Sequence, residues 1–278
     1  MLKLTADEFA KIVSGQLHEI SESTMIDQVP VINSKNATKN SFFVAFKGEQ
    51  VDGHDFVAEA INLGARFALV SKPVAEPHVL VTDTGKALID LAIYLRSKLP
   101  ELKIVGITGS QGKTTTKEFL NSILKIVGET VATAGNFNTD IGVPLTLLRC
   151  NEQTKFCILE MGARHSGDIE KLTKIVKPNV GVVLVVGTAH IGEFGSVEAI
   201  AKTKAELLIN LPSNSTAVLG SYDAYTPKMA DSLELKKVFF GDNQNIRAAD
   251  LEMHGGYAHF DLVTPAGRNP VSLLVLGE

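Results

Sequence analysis

From Lys103 onward, short apolar runs rich in β-branched residues alternate with longer segments of helical periodicity. The runs lack the polar alternation of a half-exposed sheet, so they predict strands that are buried on both faces. Strands of this kind alternating with helices are typical of a doubly wound, mostly parallel α/β sheet. We expect strands at residues 104–108, 156–160, 180–186, 217–219 and 238–240, helices at residues 113–127, 166–176 and 197–209, and shorter strands near residues 257–263 and 273–276.

The first 80 residues carry shorter elements. Thr5-Ala-Asp-Glu8 has the sequence of a capping box and predicts a short helix, and residues 85–99 have the apolar stripe of an amphipathic helix. We place a domain boundary near Asp83, with a small α/β domain at residues 1–83 and the doubly wound domain at residues 84–278. The small domain is expected to contain strands at residues 31–32, 42–46, 67–70 and 78–82 and a helix at residues 55–63.

Charge and cysteine content exclude several classes of protein. The chain has 27 basic and 31 acidic residues, a net charge of -4, which removes the electrostatic basis for a general nucleic-acid binder. The two cysteines, Cys150 and Cys157, form no CxxC pair, as is typical of a reduced chain without structural zinc. The N-terminus lacks a signal-peptide pattern, and no apolar run reaches the roughly 18 residues of a membrane span. We therefore expect a cytoplasmic protein without a membrane anchor.

A glycine-rich segment, Gly106-Ile-Thr-Gly-Ser-Gln-Gly-Lys-Thr-Thr-Thr116, stands between a predicted strand and a predicted helix. Such a loop can bind phosphate through its backbone N–H groups and the helix N-terminus. Lys113 is expected to reach the β- and γ-phosphates, and Thr114 to ligate Mg²⁺. The general GxxxxGK[ST] pattern has glycine where this chain has Ile107, and a glycine occurs at Gly109 instead. The nucleotide contacts expected from this loop are Thr108, Gly109, Ser110, Gln111, Gly112, Lys113, Thr114 and Thr115.

Ligands bind beyond the carboxyl ends of the strands in such sheets, and polar residues stand at several of these positions. Glu160 ends one predicted strand and is a candidate Mg²⁺ ligand or water-positioning residue. His190 lies in a glycine-rich loop and is a candidate metal or phosphate contact, or a plain surface histidine. Lys202 and Lys204 follow on the next helix, where a solvated lysine is the commoner outcome.

Three polar loops are open to either a ligand-binding or a plain turn interpretation. The segment from Gly135 to Pro144 has polar residues between glycines, as an ordered loop or substrate lid does. In the first domain, residues 33–35 and 48–55 follow predicted strands. These two loops could hold an anionic ligand, although ordinary turns have the same composition.

Together these segments resemble the Mur ligases, the ATP-dependent amide ligases of bacterial peptidoglycan synthesis. The resemblance covers the whole chain. The matching blocks are TGSQGKTTTKE, AGNFNTDIGVPLTLL, LEMGARHSGDI, GTAHIGEFGS and AKTKAEL, with NSK and SFFVAFKGEQVDGHDF in the first domain. Within the family, the second and third of these blocks resemble the branch that joins D-alanyl-D-alanine to UDP-N-acetylmuramoyl-tripeptide. The branch that builds the tripeptide is the alternative.

The resemblance implies a role for each matching residue. Lys113 and Thr114 would hold the ATP phosphates and a first Mg²⁺, with Glu160 as a second ligand of that ion. His190 would bind a second Mg²⁺ supported by a carbamylated lysine, which is Lys204 or, as the alternative, Lys202. The residues implied to contact the UDP-linked substrate are Ser34, Lys35, Asp52 and His54 in the first domain, and Asn136, Asn138 and Thr139 in the second.

The implied reaction is phosphoryl transfer followed by amide formation. The tripeptide carboxylate attacks the γ-phosphorus of ATP, and the amine of D-alanyl-D-alanine displaces phosphate from the acyl phosphate. Family members carry a third domain, and their adenine-contacting segment would begin at Gly277-Glu278. We therefore expect this chain to lack the third domain, to be monomeric, and to be unable to complete the reaction alone.

Two further alternatives stay open beside this interpretation. The folylpolyglutamate branch of the family lacks a UDP-binding first domain of this type, so residues 42–55 argue against it. A non-catalytic nucleotide-sugar-binding module is the alternative outside the enzymes. Intact Lys113, Thr114, Glu160 and His190 argue against such a module.

Overall fold

The computed structural model describes residues 1–189 and 191–276, so the candidate ligand His190 and the pair Gly277-Glu278 lie outside the described residues. Short 3-10 turns occur at Ser34–Asn36, Gly53–Phe56 and Thr226–Lys228. The α-helices of the described residues are α1 (Ala6–Ile12), α2 (Val57–Asn62), α3 (Thr84–Lys98), α4 (Lys113–Val127), α5 (Gly142–Leu147), α6 (Asp168–Val176), α7 (Ile191–Phe194) and α8 (Val197–Ile209).

Strands account for most of the remaining regular structure. Those before the phosphate loop are β1 (Leu4–Thr5), β2 (Gln16–His18), β3 (Met25–Ile26), β4 (Pro30–Val31), β5 (Phe42–Val44), β6 (Phe67–Val70), β7 (His78–Leu80) and β8 (Lys103–Thr108). Those after it are β9 (Thr130–Ala132), β10 (Phe156–Glu160), β11 (Val180–Val183), β12 (Thr216–Gly220), β13 (Lys236–Phe240), β14 (Arg247–His254), β15 (Tyr257–Thr264) and β16 (Gly267–Leu276).

Backbone contacts divide the chain into two compact units, residues 1–104 with 117–160, and residues 105–116 with 161–278. The first unit contains a five-stranded sheet of order β2-β7-β6-β5-β4, in which β4 to β7 run parallel and β2 pairs antiparallel to β7. Its core includes the rings of Phe9, Phe42 and Phe67, whose centroids lie 5.3 to 5.5 Å apart. The predicted capping box is confirmed, because Thr5 and Glu8 bond reciprocally at the start of α1.

The predicted parallel sheet is also confirmed. It has six strands in the order β13-β12-β11-β8-β10-β9, and the ladders β8–β11, β11–β12, β12–β13 and β9–β10 are parallel. In the second unit, α8 packs on β11, where Leu207 and Leu208 are buried close to Gly181. An antiparallel sheet of order β14-β15-β16 follows.

Several predicted boundaries shift for local reasons. The strand predicted at residues 180–186 ends at Val183, and the N–H of Val186 donates to the side chain of Asp223 instead of to a strand. The helix predicted from residue 55 begins as a 3-10 turn, and α2 starts only at Val57. A loop was expected as far as Pro144, but α5 already begins at Gly142, since proline is tolerated in a first helical turn.

The prediction of no membrane span agrees with the helix lengths. In residues 1–189 and 191–276, no helix is both long and apolar enough to cross a bilayer. The domain boundary near Asp83 stays a prediction. Asp83 itself is the N-cap of α3, and its carboxylate accepts hydrogen bonds from the backbone N–H groups of Gly85 and Lys86.

Candidate functional site

The glycine-rich loop connects β8, which ends at Thr108, with α4, which begins at Lys113. Ile107 is fully buried inside β8. The departure from the general pattern is therefore explained, because this position belongs to the strand and requires an apolar side chain. Gly112 adopts φ 80°, a left-handed conformation that disfavours other residues. The strand–loop–helix order predicted from the sequence is thus confirmed.

Ser110 fixes the glycine-rich loop to the segment after β11. Its backbone N–H donates to the carbonyl of Val185 at 2.8 Å. Its Oγ accepts from the N–H of Gly187 at 2.9 Å and lies 3.3 Å from the carbonyl oxygen of the same residue, to which it donates. The loop is held by both its main chain and its side chain, so its conformation is set before any ligand binds.

The ammonium group of Lys113 is held by the main chain of Gly109, the first residue after β8. Lys113 Nζ donates to the carbonyl of Gly109 at 2.8 Å, while Thr114 and Thr115 are exposed in the first turn of α4. Thr108 Oγ1 is buried and has no hydrogen-bond partner within the described part of the chain. An ammonium group and exposed hydroxyls at a helix N-terminus, with an unpartnered hydroxyl at the end of the preceding strand, are suited to binding an anion.

The two candidate lysines of α8 differ in burial. Lys202 is exposed, whereas Lys204 is half-buried. Burial, together with the nearby positive charge of Lys113, lowers the pKa of Lys204 from its ordinary value to about 8. Because only a neutral amine attacks CO2, Lys204 has the properties that carbamylation requires.

Glu206 lies on the same helix as Lys204 but serves a different purpose. Its carboxylate accepts hydrogen bonds from the N–H of Gly167 at 2.7 Å and of Glu170 at 3.1 Å, and from Ser166 Oγ at 3.2 Å. These groups lie at the start of α6, where backbone donors lack partners within the helix. Glu206 therefore caps α6, which fixes α8 to it.

Glu160 ends β10 and is 3% exposed. Asn138 Nδ2 donates to Glu160 Oε1 at 3.0 Å, and the backbone N–H of Glu160 donates to Thr133 Oγ1 at 3.0 Å. Of the other residues predicted in this loop, Asn136 and Thr139 are exposed. The structure thus brings together two residues that the sequence singled out separately, Asn138 and Glu160, and adds Thr133, which sequence reasoning missed.

The loop that carries Asn138 is compact. A side chain at Gly142 would meet the main chain of Phe137 at 2.3 Å, so the loop folds back closely over the start of α5. Asn138 itself is half-buried. These packing contacts favour the ordered-loop interpretation of residues 135–144 over that of a loosely held turn.

A cavity of about 520 Å³ lies within the first unit. That volume is in the range of small-molecule sites. The strand ends of β5, β6 and β7 open onto it, and so do the N-terminus of α3 and the loop before α5. Its wall includes Phe46, Lys47, Ser71, Asp83, Lys86 and Asp140.

Asp52, His54 and Ser71 are the residue types of a nucleophilic triad. His54 Nδ1 lies 2.6 Å from Asp52 Oδ1, and His54 Nε2 lies 3.3 Å from Ser71 Oγ. However, Nε2 accepts the backbone N–H of Ser71 at 2.9 Å, so its lone pair is not free to activate the hydroxyl. Lys72 donates to Asp52 and, with the two His54 contacts, holds the pKa of that carboxyl well below its usual range. The group fixes Ser71 in the cavity wall.

The remaining predicted residues of the first domain lie at the 3-10 turn after β4. Ser34 is buried and donates to Glu59, and Lys35 is exposed. Neither these two residues nor Asp52 and His54 are in the lining of the cavity. Among the predicted first-domain residues, Asp52 and His54 are connected to the cavity through Ser71.

Sequence reasoning missed Asp223, which follows β12. Its carboxylate accepts hydrogen bonds from the N–H groups of Val186, Tyr225 and Thr226 and from Thr226 Oγ1. Burial alone would raise the pKa of Asp223, but these donors hold it below the ordinary value. The rule that singled out Glu160, a polar residue at the end of a strand, also identifies Asp223 and Ser71 when it is extended to the residues just after a strand.

The oxygen ligands that the chain offers fit a Mg²⁺ ion that is bound together with a nucleotide. Within residues 1–189 and 191–276, no group of three or more His, Cys, Asp or Glu side chains could hold a metal ion by itself. Mg²⁺ binds proteins through one or two carboxylates and completes its shell with phosphate oxygens and water. A single buried carboxylate such as Glu160 is consistent with that mode.

Comparison with known protein families decides the classification. Residues 107–278 match the Mur ligase middle domain. The chain belongs to the Mur ligase family. Residues 31–94 also match the domain described as "Mur ligase family, catalytic domain", so both parts of this chain resemble corresponding parts of Mur ligases.

Individual relatives agree with this assignment. A UDP-N-acetylmuramoyl-tripeptide–D-alanyl-D-alanine ligase of Mycobacterium bovis is 38% identical over 83% of this chain and 50% of the relative. A crystal structure of MurF from Acinetobacter baumannii superposes with a TM-score of 0.89 at 34% identity, covering all of this chain and 62% of that one. The MurF ligase of Thermotoga maritima in complex with ADP gives 0.75 at 33% identity over 89% and 58%. The chain thus spans between half and two thirds of the length of these relatives.

Proposed function

We propose that this chain supplies the nucleotide-binding and UDP-substrate-binding parts of a ligase that adds D-alanyl-D-alanine to UDP-N-acetylmuramoyl-tripeptide with cleavage of ATP. The observation that carries the proposal is the glycine-rich loop between β8 and α4, held in place by Ser110 and carrying Lys113. UDP-substrate binding is assigned mainly to residues 1–83, with contributions from the start of α3 and the loop before α5, and nucleotide binding to residues 84–278. The protein acts in the cytoplasm as a monomer.

The nucleotide phosphates bind to the backbone N–H groups of the loop and to Lys113. Thr114 and Glu160 are the oxygen ligands of a first Mg²⁺. Lys204, once carbamylated, supplies an oxygen ligand toward a second ion, and His190 is its proposed nitrogen ligand. Support for Lys204 over Lys202 comes from its burial and its lowered pKa. The ions, when bound, neutralise charge on the phosphoryl group.

The cavity of the first unit binds part of the UDP-linked substrate. Its wall carries Lys47, Lys86 and the hydroxyl of Ser71 together with two aspartates, Asp83 and Asp140. The Asp83 carboxylate is already engaged by backbone N–H groups at the start of α3. A diphosphate or a peptide carboxylate is the kind of anionic group that the lysines and the hydroxyl bind. Asp52 and His54 contribute by fixing Ser71 rather than by touching the substrate.

Three exposed polar residues are further parts of the proposed substrate surface. Asn136 and Thr139 lie on the loop before α5, and Lys35 lies after β4. Ser34 is buried beside Lys35 and holds the 3-10 turn through its bond to Glu59. The catalytic contribution of this chain is therefore positioning and charge neutralisation, which dominate phosphoryl transfer.

The substrate assignment is tested by titrating UDP-N-acetylmuramoyl-tripeptide into the chain in a calorimeter. Lys86→Met removes a cavity charge, and Lys98→Met removes an exposed charge at the other end of the same helix. We expect Lys86→Met to weaken binding roughly fivefold, about 1 kcal/mol, and Lys98→Met to leave it unchanged. Equal effects of the two substitutions, or no binding by the unsubstituted chain, would overturn the assignment.

A further inference from the structure

Lys117 is a buried lysine that the proposed chemistry does not use. It lies in the second turn of α4 and is 1% exposed. Its Nζ donates to the carbonyl of Thr133 at 2.9 Å and lies 2.7 Å from Glu118 Oε1. Burying an ammonium group is costly, and an apolar side chain of similar length would fill the same space without that cost. The donors and charge of Lys117 therefore have a use beyond packing.

The contacts of Lys117 lead to Glu160 through one residue. Thr133 is buried directly after β9, and its N–H donates to the carbonyl of Ile158 at 3.0 Å. Its Oγ1 accepts the backbone N–H of Glu160 at 3.0 Å. Lys117 thus fixes the main chain of Thr133, and the side chain of Thr133 in turn fixes the main chain of Glu160.

Thr133 also begins the loop that reaches the carboxylate of Glu160. Five residues later, Asn138 Nδ2 donates to Glu160 Oε1 at 3.0 Å. Glu160 is therefore held at its backbone by Thr133 and at its carboxylate by Asn138. Because Lys117 anchors Thr133, it stabilises both the hydrogen bond from the Glu160 backbone to Thr133 and the start of the loop that carries Asn138.

We propose that Lys117 is a positioning residue that acts through Thr133 to hold the Glu160 carboxylate ready for a divalent cation. Lys117 touches neither the cation nor the substrate. The inference rests on the proposed role of Glu160 as a cation ligand. A carboxylate that is fixed in advance loses less conformational freedom on binding, and partners behind metal ligands affect affinity for that reason.

The test measures the affinity of the full chain for Mn²⁺, followed by electron paramagnetic resonance, at a saturating concentration of a non-hydrolysable ATP analogue. Lys117→Met keeps the apolar stem and removes the donors, and Thr133→Val removes the hydroxyl at constant shape. We expect each to raise the Mn²⁺ dissociation constant about tenfold, the lower end of the effect of residues behind metal ligands. Thr133→Ser retains the hydroxyl and should restore the affinity.

A purely structural role of Lys117 gives a different result. If Lys117 only stabilised the fold, Lys117→Met would weaken binding of the ATP analogue in EDTA as much as it weakens Mn²⁺ binding. If Lys117 positions Glu160, the affinity for the analogue in EDTA stays within about twofold of that of the unsubstituted chain. Glu118→Gln, which alters the other contact of Lys117, should change neither affinity. If Lys117→Met does not fold, Thr133→Val against Thr133→Ser decides the question, and equal Mn²⁺ affinity of these two would overturn the inference.

Failure of the proposed cation site is distinguishable from failure of this inference. Glu160→Gln removes the carboxylate charge itself. If Glu160→Gln leaves Mn²⁺ affinity unchanged, Glu160 is not a ligand and the proposed function loses that assignment. If Glu160→Gln weakens Mn²⁺ binding but Lys117→Met and Thr133→Val do not, only the positioning role of Lys117 is wrong.

Discussion

Asn138 donates a hydrogen bond from Nδ2 to Oε1 of Glu160 at 3.0 Å, and this fixes one carboxylate oxygen of the proposed cation ligand. Removing the amide should let the carboxylate rotate. Hydrogen bonds to charged groups contribute about 1.5–3 kcal/mol. We therefore expect Asn138→Ala to weaken Mn²⁺ binding by roughly tenfold or more in the presence of a nucleotide analogue. Asn136→Ala, at an exposed position of the same loop, should not. Equal losses for the two asparagines would contradict a specific role for Asn138.

Ser110→Ala should destabilise the glycine-rich loop. The substitution leaves both the N–H and the carbonyl of Gly187 without their side-chain partner. We expect the free energy of unfolding to fall by about 1–3 kcal/mol, measured by urea denaturation. Ser122→Ala, on the exposed side of α4, removes only a bond to the carbonyl of Glu118. Ser122→Ala should change the free energy of unfolding by less than about 0.5 kcal/mol. Similar losses of unfolding free energy for both variants would contradict the role of Ser110 in holding the loop.

Lys204 should become reactive toward acylating reagents near pH 8. Burial and the charge of Lys113 lower the pKa of Lys204 to about 8. Competitive acetylation followed by peptide mass spectrometry should therefore show half-maximal reactivity of Lys204 near pH 8. A midpoint close to the ordinary lysine value of 10.5 would refute the shift.

The same pKa shift determines the sign of a stability change. Between about pH 8 and the ordinary lysine value of 10.5, the unfolded chain binds a proton at Lys204 that the folded chain has already lost. Stability therefore rises with pH through this window as far as Lys204 is concerned. Lys204→Met should reduce that rise in urea denaturation series, and an unchanged slope would contradict the shifted pKa.

Cys150 and Cys157 should resist alkylation while the chain is folded. Both thiols are fully buried and free. A hydrogen bond with Cys150 and burial raise the pKa of Cys157 well above its ordinary value, so the reactive thiolate is scarce. Iodoacetamide at pH 8 should modify neither cysteine until guanidinium unfolds the chain, and then both. Rapid modification of the folded chain would show that this part of the core opens easily.

The strands and helices that bury apolar stripes could be predicted from the sequence, because burial on a fixed face imposes a period. β8, β10 and α6 follow from such patterns. β9 is three residues long, and β14 is mostly exposed and polar, so neither has the apolar signal of a buried strand. Short or solvated strands are specified by their neighbours rather than by their own composition.

The candidate site was only partly predictable for a related reason. Glu160 and Ser110 belong to motifs whose spacing reflects their chemistry. Lys117 has the sequence context of a solvated helical lysine, and only tertiary packing shows that it is buried. Ser71 and Asp223 follow strands, so their positions were foreseeable, but the hydrogen bonds that give them a role depend on residues far away in the chain.

Nucleotide binding by the glycine-rich loop is the central claim, and calorimetric titration of the 278-residue chain with ADP and Mg²⁺ tests it most directly. Lys113→Met removes the ammonium group of the loop, and Lys125→Met removes an exposed one in the last turn of the same helix. We predict that the unsubstituted chain and Lys125→Met bind ADP with equal affinity, and that Lys113→Met binds at least about tenfold more weakly, a difference of 1.4 kcal/mol. Equal binding by all three proteins, or binding by none, would contradict the account.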